Sequence, residues 1–298
     1  MSNSIRNVAV CGASGKLGPA IVSSLRTAGF EVSVLVRDPN KQSFPAGVTV
    51  LHVDYTSSDS LVAALTGQDA VVSALSGPAC GEPQLLLVDA AAKAQVKRFI
   101  PSDYGIDISN AKANSLPFFN VKKKVHEALD KYAAAESMSY STICNGPFLD
   151  MGLNGFLINI KGKKSTLYGG GDVPFSTATV ADVAKAVVGV LKHPDETKNR
   201  PVYVQSTELT LRRLYEMTVK ATGTEGWSQE VITAEELLRA GYEEREKDQP
   251  NIDFVRVAAF CDGYGSRFET LDNELLDITQ LSDVEVQALV DRVAGKVA

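Results

Sequence analysis

The segment Gly12-Ala13-Ser14-Gly15-Lys16-Leu17-Gly18 constrains this chain more than any other. It follows a short apolar run, Val8 to Cys11, and opens a helical pattern from Pro19 to Ala28 with Ile21, Val22 and Leu25 on one face. A strand that turns on glycines directly into a helix is the context in which a glycine pattern signals dinucleotide binding. Gly12 permits the tight turn, Gly15 lets backbone N–H groups approach a pyrophosphate, and Gly18 lets the helix pack close to the sheet. The phosphates would sit at the positive end of that helix, beside Ser14, Lys16 and Leu17.

The spacing is GxxGxxG rather than GxGxxG, which points to a Rossmann site of the short-chain dehydrogenase style, and no GKS or GKT ending marks a triphosphate loop. The surrounding chain agrees. Strand-like runs at Glu31–Val36, 48–53, 70–74, 98–101 and 140–144 alternate with helical patterns at 58–65, 84–94 and 121–136. Such alternation demands right-handed crossovers and a parallel sheet covered on both faces. The expected fold is therefore α/β, a Rossmann-type doubly wound parallel sheet with a smaller C-terminal substrate-binding lobe. The division expected is residues 1–150 for the cofactor domain and 151–298 for the lobe, with 176–208 returning to the first sheet. Residues 159–174, rich in glycine and lysine, read as an irregular connection or hairpin. Helices are expected at 180–191, 211–222, 234–240 and 284–293, and a strand at 201–205.

Composition narrows the function classes. Apolar residues make up 44% of the 298, and charged residues 22%, which fits a globular chain and excludes a disordered or collagen-like one. The net charge of −6 gives no reason to expect nucleic acid or an anionic membrane. That acidity lies in residues 195–298; residues 1–194 are slightly basic, as suits a phosphate-rich ligand. No apolar run approaches the roughly 20 residues a membrane span needs. Cys11, Cys80, Cys144 and Cys261 are widely separated, without CxxC spacing, and His52, His126 and His193 are scattered, so neither a metal site nor a Ser-His-Asp set is expected. The cysteines read as reduced thiols of a cytoplasmic protein, a monomer or homodimer.

The second strand ends in Val36-Arg37-Asp38. An acidic residue there suits the ribose hydroxyls of NAD, and an arginine suits the 2′-phosphate of NADP through its bidentate fork. Lys16 and Lys41 would add charge at that phosphate. Asp54, after the third strand, is either an adenine-edge contact or a turn aspartate. Ser73, Leu75 and Ser76 end the fourth strand, where the cofactor ribose is expected, and Asn145-Gly146-Pro147-Phe148 follows the sixth, where Asn145, Pro147 and Phe148 would meet nicotinamide and substrate, or simply turn the chain. In the usual short-chain dehydrogenase a tyrosine four residues before a lysine donates the proton. No tyrosine here has that partner; Phe118 stands in its place before Lys122. A phenyl ring cannot donate a proton, so Lys122 is the acid/base candidate, and Lys123 and Lys124 read as a solvated face.

At this point the chain resembles the NmrA-like, isoflavone reductase-like branch of atypical short-chain dehydrogenases. GASGKLG looks like that family's GGTGxxG, VLVRDP like its second strand, VKRFIPSDYG (Val96–Gly105) like its VKRFxPSEFG, VKKKVHEAL like its VKxKVRRxIE, and PFSTATVADVAKAVVGVL like its later strand and helix. The resemblance spans most of the chain. It implies NADPH-dependent reduction of an aromatic, phenolic, enone or imine metabolite, with hydride from nicotinamide C4, Lys122 as catalytic lysine and Arg37 as 2′-phosphate ligand. It also places Ser102, Asp103, Tyr104 and Lys122 itself beside the cofactor. Two departures stand out. His126 and Glu127 replace the family's arginine pair, and Asp103 and Tyr104 replace its Glu-Phe. Two other readings use the same fold: an NADP(H)-binding redox sensor without turnover, and an isomerase or cyclase of secondary metabolism.

Overall fold

The structure is a computed structural model that describes residues 4–40, 42–246 and 252–295. Its strands are β1 (Asn7–Cys11), β2 (Glu31–Val36), β3 (Thr49–His52), β4 (Ala70–Ser73), β5 (Arg98–Ile100), β6 (Ser139–Cys144), β7 (Lys164–Tyr168), β8 (Phe175–Thr177), β9 (Arg200–Tyr203), β10 (Thr207–Leu209) and β11 (Ser228–Ile232). Seven of them form one parallel sheet in the order β3-β2-β1-β4-β5-β6-β9. The runs VAVC of β1 and AVVS of β4 are wholly buried, as apolar strands covered on both faces must be. The order reverses at β1, so the crevice beyond the carboxyl ends of β1 and β4 is the switch point where open α/β sheets bind ligands.

One face is packed by α1 (Gly18–Thr27) and α7 (Val180–Lys192), which bury Ile21, Val22, Leu25, Val183, Val187 and Val190 against Val8, Val10, Val34 and Val72. The Thr179 side chain caps α7 by accepting from the Asp182 N–H. The other face is packed by α2 (Ser58–Leu65), α3 (Glu82–Lys93) and α5 (Asn120–Ala134), through Leu61, Leu65, Leu87, Val88, Val125 and Leu129. The third core gathers α4 (Ala111–Ser115), α6 (Leu149–Gly152), α8 (Leu211–Thr222), α9 (Ala234–Glu246), α10 (Ile252–Phe260) and α11 (Asp283–Val293). Phe260 anchors it, with ring centroids 5.1 Å from Phe175 and 5.6 Å from Tyr168.

Several elements depart from the sequence reading. Residues 164–168 are not one arm of a hairpin: β7 pairs in parallel with the distant β11. Helix α9 runs six residues past Ala240 to Glu246, and α10 was not anticipated. Within 176–208 only part returns to the main sheet: β9 lies beside β6, whereas β8 pairs antiparallel with β10 in a separate ribbon. The Arg98 guanidinium, 2% exposed, fastens the amino ends of β5 and β6 to the segment after α7. It donates to Ser139 Oγ at 3.0 Å, Ser141 Oγ at 2.6 Å, Thr197 Oγ1 at 3.1 Å and the Pro194 carbonyl.

Candidate active site

The glycine turn has no room for side chains. A Cβ on Gly12, whose φ is +74°, would lie 2.3 Å from the Ala74 carbonyl oxygen, and one on Gly18 would lie 2.3 Å from that of Gly12. The Gly15 N–H closes the turn onto the Gly12 carbonyl at 2.9 Å. No side chain caps the start of α1, so its first N–H groups face the crevice unclaimed by the chain. Ser14, Gly15 and Lys16 are exposed there, whereas the Leu17 side chain is buried and only its backbone can meet a ligand. This arrangement fits a pyrophosphate.

Arg37 is exposed beyond the end of β2, where it is free to reach a 2′-phosphate. Asp38 accepts the Asn40 N–H at 3.0 Å, and Lys41 lies outside the described residues. The Asp54 carboxylate accepts from Thr56 Oγ1 at 2.7 Å and Thr56 N–H at 2.8 Å, and these bonds hold it below the usual carboxylate range. Asp54 therefore builds the turn before α2 through its Oδ1.

The carboxyl ends of β4, β5 and β6 bring unsatisfied polar atoms to the adjoining crevice. Ser73 Oγ, the Tyr104 hydroxyl and Asn145 Oδ1 are all buried without a hydrogen-bond partner. Buried polar groups without partners are costly, and their gathering at a switch point marks a place where a ligand supplies the bonds. Asn145 is oriented by its own amide, which donates to the Gly146 carbonyl at 2.7 Å. Gly146 is required next to it, because a Cβ there would lie 1.8 Å from the Ser176 carbonyl oxygen. Pro147 is buried and its carbonyl accepts from Thr177 Oγ1 at 2.7 Å; Phe148 packs against the α1–α7 core. Burial pushes the Tyr104 phenol far up, so it offers an O–H donor and no base.

Leu75 and Ser76 lead from β4 into the turn 77–80. The Leu75 carbonyl accepts from Ser102 Oγ at 2.5 Å and from the Cys80 thiol at 3.1 Å. Gln84, wholly buried, ties the same loops: its Oε1 accepts the Ser102 N–H at 2.9 Å and its amide donates to the Cys80 carbonyl. The sequence reading passed over Gln84, whose only signal is a polar residue on the apolar face of α3. Burial raises the Cys80 thiol, with Lys122 working in the opposite direction.

Lys122 lies in the first turn of α5, whose first five residues hold three lysines and no acidic residue at the positive end of the helix dipole. Its Nζ donates to the main-chain carbonyl of Asp103 at 2.6 Å and lies 3.8 Å from Asp103 Oδ1. Asp103, 5% exposed at the end of β5, pairs through Oδ2 with the Nε2 of His126. Burial works against its charge, but Lys122 and then His126 outweigh that and hold the carboxyl below its usual range. Lys123 donates to the Asn114 carbonyl at 2.8 Å, so it fastens α4 to α5 rather than forming part of a solvated face; Lys124 is exposed. His126, set aside in the sequence as isolated, is part of this cluster; its spacing of four from Lys122 on one helix was the available signal.

A family model described as the NmrA-like family matches residues 5–246. The chain is 33% identical to "Oxidoreductase aprR" of Aspergillus flavus over 295 residues, covering 95% of this chain and 98% of the relative. It is also 33% identical to "Pinoresinol reductase 2" of Arabidopsis thaliana over 242 residues, 73% of this chain and 75% of that one. A solved structure described as "AtPrR2 with NADP+ and (+)pinoresinol" superposes with a TM-score of 0.69 at 24% identity, covering all of both chains, and supports the fold.

Proposed function

This chain belongs to the NmrA-like family and is an oxidoreductase that uses NADP(H), and from that premise we propose that it reduces a small aromatic, phenolic, enone or imine metabolite with Lys122 as its acid/base. The observation that carries the reading is the placement of Lys122 Nζ at the carboxyl end of β5, held by the Asp103 carbonyl. The neighbouring strand ends present the unpartnered Ser73 Oγ and Asn145 Oδ1, and the Tyr104 hydroxyl follows β5. NADPH, when bound, supplies a hydride from C4 of its nicotinamide.

The chain's own groups divide the remaining work. The backbone amides of the turn 12–18 and the start of α1 hold the pyrophosphate. Arg37 and Lys16 take the 2′-phosphate. Ser73 and Asn145 orient the ribose and nicotinamide end, and the Tyr104 O–H adds a donor. Lys122 Nζ holds the substrate oxygen, or the heteroatom that gains charge, and passes it the proton that completes reduction. Exposed Phe118 and Val121, beside Lys122, offer an apolar lip to an aromatic ring. A cytoplasmic setting belongs to the same proposal; all four cysteines are free, and no described helix is long and apolar enough to cross a membrane.

The test is NADPH oxidation against a panel of quinones, phenolic enones and benzylic ethers, with Lys122→Ala beside the wild type. Loss of kcat by about 10²–10⁴-fold with NADPH affinity kept is expected. A Lys122→Ala variant with unchanged kcat would remove Lys122 from the chemistry.

A further inference from the structure

We propose that His126 is a positioning residue for the reduction: by holding one oxygen of Asp103 it keeps the other from capturing the Nζ of Lys122, which therefore stays available to substrate. The proposal rests on the reading of Lys122 given above.

Geometry carries it. Lys122 and His126 are one turn apart on the same face of α5, and both reach Asp103. The carboxylate is divided between them. Oδ2 is taken by the imidazole, whereas Oδ1 is buried, accepts no hydrogen bond and stands 3.8 Å from Lys122 Nζ. Lys122 is thus tied to the main-chain carbonyl and only loosely to the carboxylate. A buried carboxylate must be compensated. If the imidazole stops donating a charged hydrogen bond, the carboxylate turns about its terminal torsion and closes on Lys122. The lysine then becomes the partner of Asp103 rather than of substrate. The charge that restrains Asp103 is that of an imidazole, so it is one that titrates.

The charged and titratable groups around the couple come from every neighbouring element. Lys122 and Asp130 flank His126 on α5, and Asp103 lies beside Tyr104 three residues past the end of β5. Around Asp103 stand Tyr140 and Cys144 of β6 and Cys80 of the turn after β4. Burial opposes the imidazolium, but the Asp103 charge and hydrogen bond outweigh it and raise His126 above its ordinary value. The ion pair therefore persists above the pH at which a free imidazole loses its proton, and it dissolves as pH rises through the raised value.

The test uses the full chain without any added ligand, followed by NMR of the His126 imidazole and of the Lys122 ε-carbon from pH 5 to 9. In the wild type the Lys122 resonance should step at the His126 midpoint, and that step should vanish in His126→Gln, a variant at a partly exposed position. In turnover with an acceptor from the panel, wild-type kcat should fall as pH rises through the same midpoint. His126→Gln should lower kcat about ten- to a hundredfold below that midpoint without changing NADPH affinity. His126→Arg, which keeps a permanent cation on Oδ2, should restore kcat and remove the alkaline fall. A Lys122 resonance that ignores the His126 titration, or a His126→Gln enzyme with the wild-type profile, overturns the proposal. If Lys122→Met is inactive while His126→Gln behaves as wild type, only this inference fails. If Lys122→Met keeps its kcat, the reading beneath it fails.

Discussion

Lys122 Nζ donates a 2.6 Å hydrogen bond to the main-chain carbonyl of Asp103, and this bond ties the first turn of α5 to the end of β5 at the rim of the crevice. The lysine is thereby placed against the helix dipole, which costs about 0.3–1 kcal/mol per like charge at a helix end. A local rule broken beside a ligand crevice is what a functional constraint looks like. The same rim carries the glycine turn on one side and the buried, unpartnered strand-end atoms on the other.

Gly12→Ala should abolish NADPH binding and destabilise the fold by about 1–3 kcal/mol, because its Cβ would stand 2.3 Å from the Ala74 carbonyl at a positive φ. Calorimetric titration with NADPH and urea unfolding read the two effects separately.

Arg37→Ala should weaken NADPH binding roughly ten- to a hundredfold, the worth of about 1.5–3 kcal/mol for hydrogen bonds to a charged group. NADH, which has no 2′-phosphate, should bind the variant and the wild type alike. The ratio of the two dissociation constants is the measurement.

Arg98→Ala should cost about 1–3 kcal/mol, because it removes four hydrogen bonds from a charged donor and leaves buried Ser141 and Thr197 without it. The effect belongs to folding and not to the site, which lies at the opposite end of the strands. NADPH affinity measured well below the unfolding midpoint should be unchanged.

The inner strands β1, β2 and β4 were readable because parallel strands buried on both faces carry near-continuous apolar runs. β11 was not, since four of its five residues are exposed and its partner β7 lies over 60 residues away. Helix α10 escaped notice for the opposite reason: Asp253, Phe254 and Val257 through Phe260 are all buried, so no amphipathic period shows. Lys122 could be found from its place on a helix and from the family likeness. The coupling of Asp103 to His126 could not, because it joins residues 23 apart that meet only once β5 ends beneath α5.

Asp69 ties the starts of β1, β4 and β5 together, accepting the Arg6 and Asn7 N–H groups at 2.9 Å each and pairing with Lys97 at 2.7 Å. Burial opposes its charge, but these partners win and lower its pKa. A carboxyl lowered on folding stabilises the protein above its unfolded value of about 3.9, and that stability is lost as pH falls through the folded value. Asp69→Asn should therefore lose about 1–2 kcal/mol at pH 7, with the gap to wild type closing in acid. Urea midpoints at pH 7 and pH 3 check it.

The account turns on net hydride transfer at this crevice, and isotope transfer measures it most directly. With NADPH deuterated at nicotinamide C4 and a phenolic or enone acceptor, the wild type should place one deuterium in the product for each NADP+ formed, and Lys122→Met should form neither. NADPH bound without consumption across the panel, or a rearranged product carrying no deuterium, would contradict it.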